Sequence, residues 1–344
     1  MAEYSDTEKI ASLISASSDI MLVGHTNPDG DSVGSLIAMG CFLEDMGKKV
    51  LRVVPNELPR PLRNVKGKVK IYEFVSSEAY VRERARTCDL VVCMDFNDIS
   101  SRIGALSEVV MGCGCPRVLI DHHLEPSLAD FNAVISDTSA SSTCYLVYRL
   151  ITDIAGEEAI TPRMASAVYL GMATDTGKFS YGALTPDLFR AVAVLVERGA
   201  DIVAVDMAVF NSQSEGRMRL VGYALSEKMV VLHGRRAAYI TLSIGELNRF
   251  GHKSGDTEGL VNMPMQIEGI DTSALFMETG EGIKISLRSR GAEGLDVNAF
   301  ARTYFTGGGH RNAAGAKSFV SMDETVARFI EGLRTEDEKR RGQV

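Results

Sequence analysis

Residues 20–35 read IMLVGHTNPDGDSVGS: a short apolar run, then His25, Asp29 and Asp31 within seven residues, then the start of a helical pattern. Four consecutive apolar residues with no polar face are the mark of a strand buried on both sides, as in a parallel sheet covered by helices. Glycine and asparagine punctuate the exit from the strand, and the pattern from Ser32 to Met46 repeats with helical period. A strand, a polar turn rich in acids and a helix form the first half of a βαβ unit.

The same rhythm continues downstream. Val50–Val54, Leu90–Asp95 and Val118–Asp121 are further apolar runs, separated by helical patterns at Ser77–Thr87 and, after the fourth run, Ser139–Ile154. Thr161-Pro162 and Thr185-Pro186 announce two more helices, with threonine able to cap and proline suited to the first turn; the second should stop near Gly199. The fold class expected is α/β: an N-terminal doubly wound parallel sheet over residues 1–200, with a second, smaller mixed α/β domain over 229–344. Residues 201–228 stay helical around a polar break at Asn211–Gly216 and read as the linker. In the second domain, Met229–His233 and Arg236–Leu242 flank Gly234 as a hairpin. Strands at Ser273–Met277 and Ile283–Ser289, a helix at Val297–Tyr304 and a helix at Asp323–Leu333 follow, and the tail TEDEKRRGQ is expected to fray.

Composition narrows the class. The chain has 344 residues, 45% hydrophobic and 24% charged. No apolar run approaches the roughly 18–20 residues of a membrane span, and MAEYSDTEKI lacks the layout of a signal peptide, so a cytoplasmic protein is expected. Residues 229–344 hold 15 basic and 15 acidic residues, leaving 22 against 30 in residues 1–228. Neither half has the basic excess that long duplex nucleic acid would favour. Of six cysteines only Cys113 and Cys115 are close in sequence; a zinc site would need a second pair, and reduced thiols are expected instead.

Acids and imidazoles recur where the strands end. Asp95 closes VVCMD, Asp121, His122 and His123 close VLIDHH, and Asp175 stands in GMATDTGKF. In open parallel sheets the carboxyl ends of the strands share one edge, so these residues should meet His25, Asp29 and Asp31 there. Singly, each has an ordinary explanation: Asp29 or Asp31 as a cap, Asp95 as a turn residue, Asp175 as an Asx turn. Together at one edge they would repel or protonate unless cations neutralised them. Mixed aspartate and histidine donors suit Mn²⁺ or a similar divalent ion, and a carboxylate bridging two ions would give a two-metal centre for attack on a phosphoryl group.

These motifs, HTNPDGDSVGS, VVCMDF, VLIDHH and GMATDTGKF in that order, resemble the metal-site motifs of the DHH phosphoesterase superfamily. SLRSR at 286–290 and FTGGGHRNAAG at 305–315 resemble its C-terminal DHH-associated domain with a GGGH motif. Within the superfamily the pattern is most similar to the stand-alone bacterial nano-RNase and pAp phosphatase group. The resemblance implies one metal held by His25, Asp29 and Asp95, and a second by Asp31, Asp95, His122 and Asp175, two Mn²⁺ ions with Mg²⁺ or another divalent ion as substitutes. It implies Asp121 as an orienting carboxylate and His123 as a phosphate contact or proton donor. Arg288, Gly307, Gly308, Gly309, His310 and Arg311 would bind substrate, the glycines by turning backbone N–H groups toward phosphate unless the run is simply a flexible loop.

Thr306 and Tyr145 depart from the family's usual glycine and acid, at positions that bear on substrate rather than metal. The activity implied is hydrolysis of short single-stranded oligoribonucleotides and 3′-phosphoadenosine 5′-phosphate (pAp), with no long duplex or membrane as partner and a homodimer as one compatible assembly. A linear or cyclic dinucleotide phosphodiesterase is the main alternative. The GGGHRNAAG segment disfavours a pyrophosphatase, the length a processive exonuclease of the RecJ type, and the intact metal motifs a binding module without turnover.

Overall fold

A computed structural model describes residues 4–253, 255–291 and 294–341. The chain divides into two compact units, with the boundary between Ser212 and Gln213, inside the polar break of the sequence.

Among the described residues of the first unit, seven strands form one sheet: β1 (Tyr4–Ser5), β2 (Asp19–Val23), β3 (Lys49–Val54), β4 (Tyr72–Glu73), β5 (Leu90–Met94), β6 (Arg117–Asp121) and β7 (Ala133–Ser136). Their order is β1-β7-β6-β5-β2-β3-β4, and all neighbours are parallel except β1 with β7. The chain runs from β2 outward through β3 and β4, then returns to lay β5, β6 and β7 on the other side. The strand order therefore reverses between β2 and β5, which opens a crevice at their carboxyl ends, the usual place for a ligand in such sheets. Both sheet faces are buried, as the unbroken apolar runs foretell: Ile20, Leu22, Val92 and Ile120 face one core, Met21, Val23, Val91 and Leu119 the other.

Three helices over the first face matter for the site: Gly30–Asp45, Thr143–Ala155 and Pro162–Asp175. Thr161 and Thr185 cap the two Thr-Pro helices as expected, accepting from the N–H of Met164 and Leu188, and Gly199 takes a left-handed φ of 84° just past the helix Pro186–Glu197. β1, β4 and β7 are too short, at two to four residues, to rise above the surrounding pattern, and their pairing is a product of the assembled sheet. The helix expected from Ser139 begins at Thr143 instead. Asp137 takes the N–H and hydroxyl of Ser139 into a local turn, and Ser142 caps the helix by accepting from the N–H of Tyr145.

In the second unit, β8 (Met229–Leu232), β9 (Ala237–Leu242), β10 (Thr272–Thr279), β11 (Gly282–Ser289), β12 (Thr306–His310) and β13 (Ala313–Ser318) form a mixed sheet in the order β12-β13-β11-β10-β9-β8, where only β9 and β10 run parallel. The helices Val297–Tyr304 and Met322–Arg341 share an apolar core with one sheet face through Phe276, Phe300 and Phe329. The tail expected to fray is helical through Arg341; its last residues lie outside the described ones. No described helix is long and apolar enough to cross a membrane.

The glycine run is neither loop nor phosphate-cradling turn. Gly307–Gly309 lie in edge strand β12, antiparallel to β13, and the N–H of Gly309 donates to Asn298 Oδ1 at 2.9 Å. Close strand contact explains the glycines. A Cβ on Gly307 would lie 2.2 Å from the Gly315 carbonyl oxygen, and one on Gly309, at φ 153°, 2.5 Å from that of Ala313.

Within this unit Glu246 gathers four donors: the N–H and hydroxyl of Ser243 in a capping box, Tyr223 Oη at 2.6 Å and Lys228 Nζ at 2.8 Å. Partial burial would raise its pKa, but the ion pair and hydrogen bonds outweigh it and hold the carboxyl at about 2. A depressed carboxyl pKa stabilises the fold above the unfolded-state value and ceases to do so as pH falls through the folded one. Glu246→Gln is therefore predicted to cost on the order of 2 kcal/mol at pH 7. Urea melts of both proteins should converge as pH falls from about 5 toward 2.

Candidate metal centre

The switch point of the first sheet collects every metal-site residue that the sequence picks out. Asp29 ends the loop after β2 and caps the helix Gly30–Asp45, its Oδ1 accepting from the N–H groups of Asp31 and Ser32 at 3.0 and 3.1 Å. The cap reading of Asp29 is thus correct and incomplete, because the same carboxylate lies 3.7 Å from His25 Nε2.

Asp31, one helical residue further, is fully buried. Its Oδ2 accepts from Thr143 N–H at 2.6 Å and its Oδ1 from Cys144 N–H at 2.8 Å. These are first-turn donors that a helix cannot satisfy itself, and the positive end of the helix favours the carboxylate.

Asp95 follows β5 with a left-handed φ of 67°, a conformation that aspartate tolerates better than most residues and that is costly enough to need support. Its Oδ1 accepts from Thr143 Oγ1 at 3.2 Å and lies 3.7 Å from His122 Nε2. Its Oδ2, 3.3 Å from His25 Nε2, is buried with no hydrogen-bond partner. Asp175, at the end of the helix Pro162–Asp175, lies 3.1 Å from His122 Nε2.

The imidazoles are oriented from behind. His25 Nδ1 lies 2.9 Å from the Thr26 carbonyl oxygen and His122 Nδ1 3.4 Å from that of Ala140. A carbonyl only accepts, so each Nδ1 carries the proton and each Nε2 is left facing carboxylate oxygens. Lone pairs opposed at these distances require a proton or a metal ion between them.

The electrostatics point the same way. Burial alone would lower both histidine pKa values, yet Asp29 and Asp95 raise that of His25, and Asp175 with Asp31 and Asp95 that of His122. Burial, then Asp31 and Asp29, push Asp95 up, and burial with Asp31 carries Asp175 to about 7. Carboxylates that resist ionising together, with an orphaned buried oxygen among them, suit divalent cations. The donors group as the sequence implies: ligand atoms of His25, Asp29 and Asp95 lie within 4.8 Å of one another, as do those of Asp31, His122 and Asp175, and Asp95 adjoins both sets.

Asp121 and His123 form a separate pair. His123 Nδ1 donates to Asp121 Oδ1 at 2.7 Å. Burial would raise the Asp121 pKa, but His123 holds it below its ordinary value. The orienting role expected of Asp121 is directed at His123. Atoms of His123 also fall within ligand range of Asp95 and His122.

The supports escaped the sequence reading: Thr143, Cys144 and the glycines that let three helices meet. A Cβ on Gly171 would lie 2.2 Å from Cys144 Sγ and 2.4 Å from Asp31 Oδ1, and one on Gly34 2.4 Å from the Ala167 carbonyl oxygen. A helix starting at Ser139 instead of Thr143 hides the two N–H donors, and glycines inside helical patterns signal close packing only once the partner is known. A third group also escaped it, Cys88 beside Cys113 and Cys115, at the opposite ends of β5 and β6 from this centre.

Comparison with known proteins accords with this geometry. The model of the DHH family, N-terminal domain, matches residues 19–172, and that of the DHHA1 domain matches 236–334. The crystal structure of an exopolyphosphatase-related protein from Bacteroides fragilis superposes with a TM-score of 0.91 at 34% identity, over 96% of this chain and 95% of that one. The bifunctional oligoribonuclease and PAP phosphatase NrnA of Thermus thermophilus is 29% identical over 92% of this chain and 90% of its own length. The cyclic-di-AMP phosphodiesterase GdpP of Bacillus subtilis is 27% identical over 92% of this chain but only 48% of its own length. The chain belongs to the DHH family with a C-terminal DHHA1 domain. It is a metal-dependent hydrolase of phosphate esters.

Two outcomes are predicted. His122→Ala should weaken divalent-ion binding in calorimetric titration at least 10-fold, whereas His123→Ala should keep the ions and lose rate; equal loss of metal in both would make His123 a ligand. Gly171→Ala should destabilise by about 1–3 kcal/mol through overpacking and reduce turnover by displacing Asp31, which a thermal melt and an activity assay on the same sample would register.

Proposed function

We propose that this enzyme uses two Mn²⁺ ions to hydrolyse short oligoribonucleotides to mononucleotides and to convert pAp to AMP. The observation that carries the reading is the convergence of His25, Asp29, Asp31, Asp95, His122 and Asp175 at one sheet edge. Substrate class follows from similarity over nearly the full length to an oligoribonuclease and PAP phosphatase. Nitrogen donors at His25 and His122 favour Mn²⁺ over Mg²⁺. Six free thiols accord with a reducing, cytoplasmic setting.

His25, Asp29 and Asp95 would hold one ion and Asp31, Asp95, His122 and Asp175 the other, with Asp95 between them. Bound there, such ions supply hydroxide at neutral pH and neutralise charge on the phosphoryl oxygens. Asp31 keeps its position through the Thr143 and Cys144 amides, and Asp95 through the Thr143 hydroxyl. With Nδ1 held by Asp121, the His123 imidazole would contact the substrate's phosphate or give a proton to the leaving oxygen.

The second unit would bind the rest of the substrate. Arg288, Ala313 and His310 are in register on β11, β13 and β12; Arg288 and Ala313 lie on the sheet face opposite the helical core, with Ser286 and Gly315 in the next row. A row of small residues beside a guanidinium and an imidazole would suit a nucleotide with one or two phosphates. Arg311, exposed and 3.5 Å from Asp296, adds charge at the end of β12. In this reading Gly307–Gly309 would contribute as an edge strand rather than as a turned amide cradle.

A signalling-dinucleotide phosphodiesterase is the second reading, favoured by the match to GdpP along 92% of this chain. The deciding experiment measures products from RNAs of two to ten nucleotides, pAp, and linear and cyclic dinucleotides, with Mn²⁺ and in excess chelator. Fastest turnover of the shortest RNAs and none in chelator is expected; preference for the cyclic dinucleotide would select the second reading. Arg288→Ala or Arg311→Ala should lower dinucleotide turnover about 10²-fold at unchanged metal content, through lost positioning. A small activated phosphodiester should suffer much less. Faster degradation of 20-nucleotide RNA than of dinucleotide would replace the compact clamp with an extended groove.

A further inference from the structure

At the opposite ends of β5 and β6 from the catalytic residues, three sulfurs face one another. Cys88 stands two residues before β5, Cys115 two residues before β6, and Cys113 ends the helix Leu106–Gly112. Cys88 Sγ lies 3.8 Å from Cys113 Sγ and 3.7 Å from Cys115 Sγ, and all three sulfurs fall within 4.8 Å of one another. With five residues in each strand, this cluster is roughly 16 Å from the carboxyl edge.

Packing does not account for the arrangement. Cys93 and Cys144 are fully buried and behave as small core hydrophobes, whereas Cys88, Cys113 and Cys115 are half-buried in a surface recess of about 720 Å³. Arg82, Arg86, Asp89 and Glu108 line the same recess, with Arg82 paired to Glu108 at 3.4 Å.

The spacing has a chemical meaning. Zn–S bonds of about 2.3 Å in a tetrahedral site set the sulfurs about 3.8 Å apart, close to the separations of Cys88 Sγ from Cys113 Sγ and Cys115 Sγ, 3.8 and 3.7 Å. We infer that Cys88, Cys113 and Cys115 form a second metal site, independent of the catalytic centre, which binds one Zn²⁺ or a similar thiophilic cation through three thiolates. The neighbouring Asp89 is committed elsewhere, its two oxygens accepting from the N–H groups of Ser18 and Asp19, so the fourth position falls to solvent. An ion here ties the turn before β5 to the loop before β6, and its effect is on stability rather than turnover. The sulfurs give up their protons to water on binding; no oxidation is involved.

Co²⁺ reads this site separately, because charge-transfer absorption in the near ultraviolet arises from thiolate ligation and not from aspartate or histidine. Titration of the full-length, reduced protein is expected to produce this band at one ion per chain and to lose it on addition of equimolar Zn²⁺. Cys88→Ser, Cys113→Ser and Cys115→Ser should each abolish the band, leave Mn²⁺-dependent turnover within twofold, and cancel the rise in melting temperature that Zn²⁺ gives the wild type; Cys41→Ser should keep the band. Absence of the band from the wild type at saturating Co²⁺ overturns the site whatever the variants do, as does a band that survives all three substitutions. A count of four rather than six reactive thiols in denatured, unreduced protein would also overturn it, by showing a disulfide in place of a metal site.

Discussion

Asp31 has no exposure to water, and the first unit is arranged around supplying that buried carboxylate with hydrogen bonds. Backbone N–H groups are available at this depth, and the helix Thr143–Ala155 supplies two such donors at its open first turn. For them to arrive, the helices Gly30–Asp45, Thr143–Ala155 and Pro162–Asp175 must approach until a single added methyl group at Gly34 or Gly171 would collide with backbone or sulfur. Packing and electrostatics therefore act on the same atoms. The close approach that lets the core fill also places Asp175 and Asp31 at 3.1 and 3.9 Å from His122 Nε2.

The sheet contributes direction. Parallel strands bring their carboxyl ends to one edge, and reversal of strand order between β2 and β5 leaves that edge uncovered where it is needed. Strand ends alone would supply side chains at about the right height without fixing their rotation. Fixation comes from a cap at Asp29, a left-handed backbone at Asp95 and carbonyl oxygens behind His25 and His122. Each is an ordinary local device. Their sum is a set of oxygen and nitrogen donors turned inward, with a buried oxygen of Asp95 lacking a protein partner.

The two units handle charge differently. The first concentrates carboxylates at one point and depends on cations to tolerate them. The second spreads balanced charge, and Arg288 of β11 and His310 of β12 stand in register with Ala313 of β13 between them.

The sequence by itself determined the parallel sheet of the first unit, the two Thr-Pro helices and the acids and imidazoles that meet at the sheet edge, because these rest on local periodicity and on the recurrence of such residues at successive strand ends. Only tertiary structure decided the rest. β7 is four residues long and is a strand because β6 is beside it; the helix expected from Ser139 starts at Thr143 because a turn at Asp137 and a cap at Ser142 come first. Gly307–Gly309 look mobile in sequence and form a strand because they pair with β13, which approaches Gly307 and Gly309 too closely for a side chain. Cys88 lies 25 residues from Cys113 and has no motif to link them, yet two neighbouring parallel strands bring their sulfurs together. Contacts of this kind depend on which strands become neighbours, a choice made by the packing of the whole core and not by any one segment.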